Sequence, residues 1–251
     1  NKLFIVKYYR QKSNKFNAIK SEGLNLNYFN NINLNFFPKV KANNELYLIM
    51  SFIENNSIKP QSTNDDFVDA VVKIHSIQSK KFGFNFDTQI GGLRQPNKIN
   101  NNWIEFYSEQ RLYYIFDLIC KKNSMDKKIN LKIELVLKNI KNFIPTSPKV
   151  SLLHGDLWEG NILFNDKSFV GFIDPGSFYG HNEMELAYLR WFNPVFIDKT
   201  FLDKYNEKIS IDKNYLFYEP IYQLYYSLLN VYLWDRSYIK DVERLINKIK
   251  I

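Results

Sequence analysis

Residues 151–176 read SLLHGDLWEGNILFNDKSFVGFIDPG. Asn161 follows Asp156 by five residues, and Asp174 ends an apolar run thirteen residues further on. A carboxylate such as Asp156 can take a proton from a hydroxyl group, while an amide oxygen and a second carboxylate can bind a hard cation. Phosphoryl transfer needs these groups, one to accept the hydroxyl proton and two to hold Mg²⁺ against the phosphates. The stretch therefore predicts a metal-assisted phosphotransfer site.

A β-hairpin is predicted within the same stretch. Residues 162–164 and 169–173 are β-rich and apolar, and the polar residues 165–168 between them are typical of a turn. A hairpin at this place brings Asp174 back beside Asn161. The two expected cation ligands would then be neighbours in space as well as in sequence.

Composition indicates a compact globular protein. The chain has 251 residues, of which 45% are hydrophobic and 17% aromatic, so it can bury a large core and is not of the disordered class. Its formal charge of +8 comes from lysines scattered along the whole length. A scattered basic surface does not predict a nucleic-acid partner, although part of the charge can serve a nucleotide, which is itself a polyanion.

The location is expected to be cytoplasmic, with no membrane partner. Cys120 is the lone cysteine, which excludes an intramolecular disulfide and fits a reducing compartment. The first residues form too short an apolar run for a signal peptide, and the apolar segment 216–234 is interrupted by polar residues. Because the chain begins without methionine inside an apparent strand, we expect a fragment or a trimmed product.

The order of secondary structure predicts two lobes. A strand at 3–8, a helix at 16–29, an extended segment at 37–40 that leads to a turn at 43–44, and a strand at 46–50 make residues 1–53 a small lobe of the order strand, helix, strand, strand. Residues 54–251 carry the loop already described and would form the second lobe. Hydrophobic periodicity predicts helices there at 65–76, 102–121, 128–143, 183–192, 199–207, 216–234 and 239–249.

The chain resembles the fructosamine kinase (ketosamine-3-kinase) family, a branch of the aminoglycoside-phosphotransferase-like kinases. Three blocks carry the resemblance: His154–Trp158 with Gly160 and Asn161; Phe82–Phe84, Ile90–Gly92 and Gln95–Asn97 leading to Trp103, Glu105, Phe106, Arg111 and Leu112; and Asp174–Pro175 with Tyr179–His181, Glu183, Glu185–Ala187 and Tyr222–Tyr225. The second block is the most specific, because antibiotic phosphotransferases and choline kinases lack it.

The resemblance implies an α+β, bilobal, protein-kinase-like fold. Its small N-lobe would hold an antiparallel sheet and one helix, with the first strands and the loop over the ATP phosphates missing here, and its larger C-lobe would be mainly helical. The implied reaction is ATP- and Mg²⁺-dependent phosphorylation of the 3-hydroxyl of a ketosamine. The substrate would be a small ketosamine or a glycated protein, and the physiological outcome protein deglycation.

The resemblance also assigns roles to residues in this chain. Asp156 would be the general base, and Asn161 and Asp174 would be the metal ligands. Lys7 would bind the α- and β-phosphates, and Glu22 would be its helix partner, with an alignment to Lys20 left open.

The adenine of ATP would meet the segment 48–53, including Met50 and Phe52. The family usually has an acidic residue where this chain has Ser51. That departure bears on the fit of the nucleotide more than on the chemistry.

Four residues are candidates for substrate contact. Trp158 lies two residues past the expected base, where an aromatic ring can stack on a sugar or its amine. Gln95 and Asn97 either contact substrate or close a loop, and His181 is close enough in sequence to Asp174 to reach the cleft. His154 is expected to be structural.

Two alternatives stay open at this point. The acceptor could be another small hydroxyl compound that carries a cation, such as an aminoglycoside or a choline-like alcohol. The chain could also be a non-catalytic nucleotide-binding scaffold, which the presence of Asp156, Asn161 and Asp174 together argues against.

Overall fold

The first part of the chain is a small antiparallel sheet with one helix against it. The computed structural model describes residues 2–11 and 16–249. The elements are β1 (Phe4–Tyr8), α1 (Ala18–Asn31), β2 (Val40–Asn43) and β3 (Tyr47–Ser51). Both strand pairs are antiparallel in the order β1-β3-β2, and Lys7 lies opposite Leu48. The predicted order of strand, helix and two strands is confirmed.

Helix α1 has one apolar face and one polar face, and both are buried. It begins at Asn17, whose side chain accepts a hydrogen bond from the Lys20 backbone and caps the helix. Phe29 stacks on Phe37 with ring centroids 4.0 Å apart. The buried polar side chains of α1 are Ser21, Glu22 and Asn25. Because buried polar groups need partners, this face must meet other polar groups, and it does so at the site described below.

Helices dominate the rest of the chain, with three two-stranded sheets between them. The helices are α2 (Asp65–His75), α3 (Trp103–Tyr107), α4 (Tyr114–Asn123), α5 (Lys127–Asn139), α6 (Asn182–Trp191), α7 (Phe201–Asn206), α8 (Tyr215–Leu233) and α9 (Ile239–Lys248). The strands are β4 (Thr88–Ile90) paired with β5 (Leu93–Gln95), β6 (Ser151–Leu153) paired with β9 (Phe178–Gly180), and β7 (Ile162–Asn165) paired with β8 (Ser168–Phe172).

One prediction about this part is refined, and one element was missed. The helix predicted at 102–121 is found at 103–123, with a π-helical turn at Ser108–Tyr113 between α3 and α4. The hairpin of β4 and β5 was not predicted at all. Its strands have three residues each, which is too few to show the alternation of apolar and polar residues by which a strand is identified in a sequence.

The predicted β7–β8 hairpin is confirmed and joins the first sheet to the helical part. The Phe172 backbone N–H donates to the Phe36 carbonyl at 2.9 Å. A Cβ on Gly171 would lie 2.7 Å from that same carbonyl oxygen, so only glycine allows this close approach. The contact places Asp174, just past β8, beside β1. The expected division of the chain near residue 53 stays a prediction.

Helix α8 is buried along most of its length. It packs against α6 and α9 and supplies tyrosines to the core, among them Tyr222, Tyr225 and Tyr226. Among residues 2–11 and 16–249, no helix combines the length and the apolar character needed to cross a membrane.

Candidate active site

His154 holds the predicted catalytic loop together from inside the protein. The His154 ring is buried, and burial lowers its pKa to about 4, so it is neutral at physiological pH. Its Nε2–H donates to the Ile173 carbonyl at 3.0 Å, and its Nδ1 accepts from the Asp156 backbone N–H at 3.3 Å. One neutral ring therefore ties the loop to the end of β8. The geometry agrees with the structural role expected for His154.

Glu185 anchors the same loop through its backbone. The carboxylate accepts from the N–H groups of His154 at 2.9 Å and Gly155 at 2.7 Å, and it contacts His75 Nε2 at 2.9 Å. Burial alone would raise the pKa of Glu185, but the hydrogen bond and charge of His75 outweigh it, so the pKa is lowered. A Cβ on Gly155 would lie 2.0 Å from the Gly176 carbonyl oxygen, so this turn accepts only glycine.

Asp156 projects from this loop into a cavity. Its Oδ1 accepts a hydrogen bond from the Tyr188 hydroxyl at 3.3 Å. Burial, reinforced by the negative charge of Asp174, raises the pKa of Asp156 to about 7, although hydrogen bonds from Tyr188 and Asn161 oppose the rise. A carboxylate whose pKa lies near neutral pH is well matched to accept a proton from a hydroxyl group.

Asn161 and Asp174 present the oxygen atoms that a hard cation prefers. The Asn161 side-chain nitrogen donates to the Asp156 backbone carbonyl at 2.8 Å, which leaves the amide oxygen as the atom able to ligate. The Asp174 side chain is about a third exposed, at 36%. Among the described residues no cluster of three His, Cys, Asp or Glu side chains forms a metal site. A pair of oxygen donors fits Mg²⁺, which commonly binds one or two protein groups together with phosphate oxygens.

Asp174 has an unusual backbone. Its φ angle is +55°, in the left-handed region that side chains other than glycine rarely adopt. The next residue is Pro175, which normally keeps its predecessor extended. Strained backbone of this kind clusters at functional sites because the surrounding structure must hold it in place.

Lys7, Glu22 and Asp174 form a charged cluster at the end of β1. The Lys7 ammonium lies 2.8 and 2.9 Å from the two Glu22 oxygens and 2.6 Å from Asp174 Oδ1. Burial lowers the pKa of Lys7, but the two carboxylates outweigh this and raise it, so the lysine stays charged. Burial and the Asp174 charge raise the pKa of Glu22 to about 7. Lys20 instead pairs with Glu45 on the surface, so the geometry favours the Glu22 alignment.

A cavity of about 210 Å³ opens beside this cluster. Met50 and Phe52 line it, as expected, but the Phe52 backbone N–H donates to the Leu3 carbonyl at 3.2 Å and is not free to bind adenine. Ser51 and Ile53, from the same expected segment, also line the cavity, together with Lys7, Asn55 and Asp174. The sequence analysis missed four apolar residues of the wall: Ile5, Pro38, Leu163 and Ile173.

A second cavity, of about 310 Å³, opens above Asp156. Asp156 is the one acidic side chain among the described residues that line it. The others are mostly aromatic or aliphatic: Ile90, Gly91, Trp158, Tyr188, Phe192, Leu229, Asn230, Leu233, Trp234 and Tyr238. The sequence reading found Trp158 but missed the contributions of α6 and α8.

The expectation of substrate contact for Gln95, Asn97 and His181 needs correction. All are buried, and none lines the cavity above Asp156. The Gln95 amide nitrogen donates to the Gly176 carbonyl at 2.7 Å, and the Asn97 amide nitrogen donates to the Thr88 hydroxyl at 2.8 Å. His181 Nδ1 and the hydroxyl of Tyr222, a core residue, share a hydrogen bond of 2.8 Å. Of the two readings left open for Gln95 and Asn97, the structure supports the closing of a loop.

Comparisons with known proteins identify the family of this chain. The sequence profile of the family described as fructosamine kinase matches residues 1–251. A protein of Enterococcus faecium named as a probable ketoamine kinase is 31% identical over 205 residues, which are 80% of this chain and 70% of that protein. The ketosamine-3-kinase of Mus musculus is 36% identical over 148 residues, which are 59% of this chain and 47% of the mouse protein.

Similarity also extends to a solved structure. A protein of Thermobifida fusca, assigned as a fructosamine-3-kinase, superposes with a TM-score of 0.85. The match covers 98% of this chain and 84% of that one at 24% sequence identity. An identity this low is evidence of a shared fold alone. The predicted α+β, protein-kinase-like fold class is confirmed.

Proposed function

Because the chain belongs to the fructosamine kinase family and is an ATP-dependent phosphotransferase that acts on a hydroxyl group, we propose that its acceptor is the sugar 3-hydroxyl of a ketosamine. The observation that carries this proposal is the cavity above Asp156, in which one carboxylate lies among aromatic and aliphatic walls. A ketosamine offers a hydroxyl to that carboxylate and a sugar face to Trp158.

The same cavity disfavours the aminoglycoside alternative. An aminoglycoside carries several ammonium groups, and burying each of them without a carboxylate partner is costly. Asp156 is the one acid that the described cavity wall offers, and the proposed chemistry needs it as the base. A choline-like alcohol carries a single cation and is the stronger of the two competitors, since aromatic rings can bind a quaternary ammonium.

The proposed mechanism assigns one task to each side chain. Asp156 accepts the proton of the 3-hydroxyl as the oxygen attacks the terminal phosphoryl group of ATP, whose bond to the leaving ADP breaks. Tyr188 holds the carboxylate by its hydrogen bond. Lys7 binds the phosphates, and Glu22 keeps its ammonium aimed at them. Asn161 and Asp174 would hold Mg²⁺, which supplies charge neutralisation at the phosphates.

The fate of the product suggests the biological role that we propose for the reaction. In this family a ketosamine 3-phosphate decomposes and releases the amine, so phosphorylation of ribulosamines or fructosamines on small amines or protein lysines amounts to deglycation. We place the reaction in the cytoplasm, where ATP is present and Cys120 stays reduced.

Release of ADP, measured with four acceptors side by side, tests the proposal. The acceptors are a ribulosamine, a fructosamine, an aminoglycoside and choline, each with Mg²⁺ and ATP. We expect turnover with one or both ketosamines at a kcat/KM at least about tenfold above the other two, since one stacked aromatic contact can supply that factor. Turnover confined to the aminoglycoside or to choline would overturn the assignment of the acceptor.

A further inference from the structure

The hairpin of β4 and β5 is hydrogen-bonded to the loop that carries Asp174. Thr88 and Gln95 lie opposite each other in the hairpin, and both bind the Gly176 carbonyl oxygen, at 3.1 and 2.7 Å. Gly176 follows Asp174 by two residues, and its own N–H donates to the His154 carbonyl at 2.9 Å. The position of the loop is therefore set by the hairpin on one side and by the catalytic loop on the other.

The Thr88 hydroxyl lies at the centre of these hydrogen bonds. It donates to Gly176 and accepts from the amide nitrogens of Gln95 at 2.9 Å and Asn97 at 2.8 Å. The side-chain oxygen of Asn97, Oδ1, in turn accepts from the Arg111 guanidinium at 2.6 Å. These contacts join the metal-binding loop to the helical core through one chain of hydrogen bonds.

Arg111 anchors that chain in the core. Its guanidinium is fully buried and lies 4.6 Å from the ring centre of Phe106 and 3.9 Å from that of Phe178. Burial lowers the pKa of Arg111 to about 10, which still leaves it charged at neutral pH. A buried cation without a carboxylate partner is costly. Its hydrogen bonds to the Pro96 carbonyl and to Asn97 offset part of that cost and hold the base of the hairpin in place.

The other end of the hairpin reaches the acceptor cavity. Ile90 and Gly91 belong to the cavity wall, and a Cβ on Gly91 would lie 2.8 Å from the Leu233 side chain. Thr88 is two residues from Ile90, a distance of about 7 Å along a strand. One short hairpin therefore contacts both the loop that carries Asp174 and the cavity above Asp156.

We propose that Thr88 and Gln95 are positioning residues for Asp174 and that the β4–β5 hairpin couples occupancy of the acceptor cavity to binding of the Mg²⁺-nucleotide. An acceptor that presses on Ile90 and Gly91 fixes the hairpin, and the fixed hairpin holds the Gly176 carbonyl and so the Asp174 carboxylate. By linkage, the nucleotide strengthens acceptor binding by the same factor. The inference rests on the proposed function for the identity of the acceptor, but not for the role of Thr88.

The substitutions Thr88→Val and Thr88→Ser separate hydrogen bonding from packing. Valine keeps the volume of threonine and removes the hydroxyl, whereas serine keeps the hydroxyl and removes a methyl group. With a non-hydrolysable ATP analogue in calorimetry, we expect T88V to weaken affinity about tenfold in Mg²⁺ and to leave affinity in EDTA unchanged, as for loss of a buried hydrogen bond. T88S should retain the Mg²⁺-dependent affinity.

Thermal unfolding checks that each variant is folded. Gln95→Met serves as a second variant, since it removes the other donor to Gly176 and leaves the Thr88 hydroxyl in place. Equal Mg²⁺-dependent affinity in wild type, T88V and Gln95→Met would overturn the positioning role. An equal loss in T88V and T88S would also overturn it, because packing would then be the cause.

The coupling is measured by repeating the Mg²⁺-analogue titration with a saturating fructosamine. We expect the wild type to bind the analogue about fivefold or more tightly with the acceptor present, at the lower end of usual coupling, and T88V to show no such gain. A wild type that binds the fructosamine without any gain would overturn the coupling. Failure of the fructosamine to bind the wild type would instead count against the proposed function, while the Mg²⁺ titrations would still decide the role of Thr88.

Discussion

The cavity beside Lys7 and the cavity above Asp156 are built in opposite ways. Lys7 and Asp174 line the first, of about 210 Å³, and the Lys7 ammonium lies within 2.9 Å of carboxylate oxygens of both Glu22 and Asp174. The second, of about 310 Å³, has one carboxylate and is otherwise lined mainly by aromatic and aliphatic groups. With the nucleotide phosphates proposed at the first cavity and the acceptor at the second, the phosphates would be held by charge, which acts over several ångströms, and the acceptor would be selected by shape and stacking.

That contrast makes the two sides separable by mutation. With the other substrate at saturation, so that the proposed coupling is constant, a change in the charged cluster should alter the KM for ATP and leave that for the acceptor, and a change in the aromatic wall should do the reverse. We propose Asp156 as the base of the reaction, so its loss should spare both binding steps.

Asp156→Asn should cause the largest loss. Removing the base should lower kcat by about 10² to 10⁴ while the KM values for ATP and for the acceptor change little, because asparagine keeps the shape of the side chain. Steady-state kinetics with a ketosamine measures this. Asp166→Asn, in the exposed turn of the β7–β8 hairpin, is the control. A variant with wild-type kcat would contradict the assignment of the base.

Lys7→Met should weaken the nucleotide side alone. We expect the KM for ATP to rise about 10- to 100-fold, the usual effect of losing a charged hydrogen bond, with the KM of the acceptor unchanged. Lys20→Met removes a surface lysine that pairs with Glu45 and provides a matched control. If Lys7→Met raised both KM values equally, the two sides would not be separate.

Trp158→Leu should weaken the acceptor side alone. Loss of one stacked aromatic contact predicts a rise of about tenfold in the KM of the acceptor, with the KM for ATP unchanged. Trp158→Phe, which keeps a ring, should recover most of the affinity. An unchanged acceptor KM in the leucine variant would show that the indole contacts protein and not substrate.

His154→Gln should change how stability depends on pH. The pKa of His154 falls from an ordinary 6.5 to about 4 in the folded protein, so between these values the unfolded chain binds more protons. The contribution of His154 is therefore fully present above pH 6.5 and is lost as the pH falls through about 4. We expect the unfolding free energy of wild type minus that of the variant to decrease by about 2 kcal/mol between pH 7 and pH 5.

Urea denaturation at several pH values gives this difference directly. Comparing the two proteins cancels the opposing contributions of other buried acids, such as Glu22. A difference that stays constant between pH 7 and pH 5 would show that the ring titrates normally in the folded state.

The nucleotide side was largely predictable from the sequence. Asp156, Asn161 and Asp174 are brought together by a local hairpin, and local structure follows from local pattern. The pairing of Lys7 with Glu22 was expected from the family resemblance, and the distances agree with it. Short-range structure and formal charge were sufficient to predict which residues lie together on this side.

The acceptor side was not predictable to the same degree. Its walls come from α6 and α8, and only tertiary packing brings Tyr188 and Leu233 to the same cavity. Gln95 and Asn97 were recognised as special, but sequence does not show which atoms a polar side chain will bind. Both turned out to serve the protein's own backbone and side chains, in a hairpin too short to be predicted.

The left-handed backbone of Asp174 determines which substitutions this position tolerates. Glycine and asparagine tolerate a φ of +55° best, and each is one nucleotide away from an aspartate codon. The replacements that fold most readily at this position therefore also remove the carboxylate that we propose as a metal ligand. With that role, random mutation at this site should give folded and inactive proteins more readily than unfolded ones, so selection for turnover rather than for stability would maintain the aspartate.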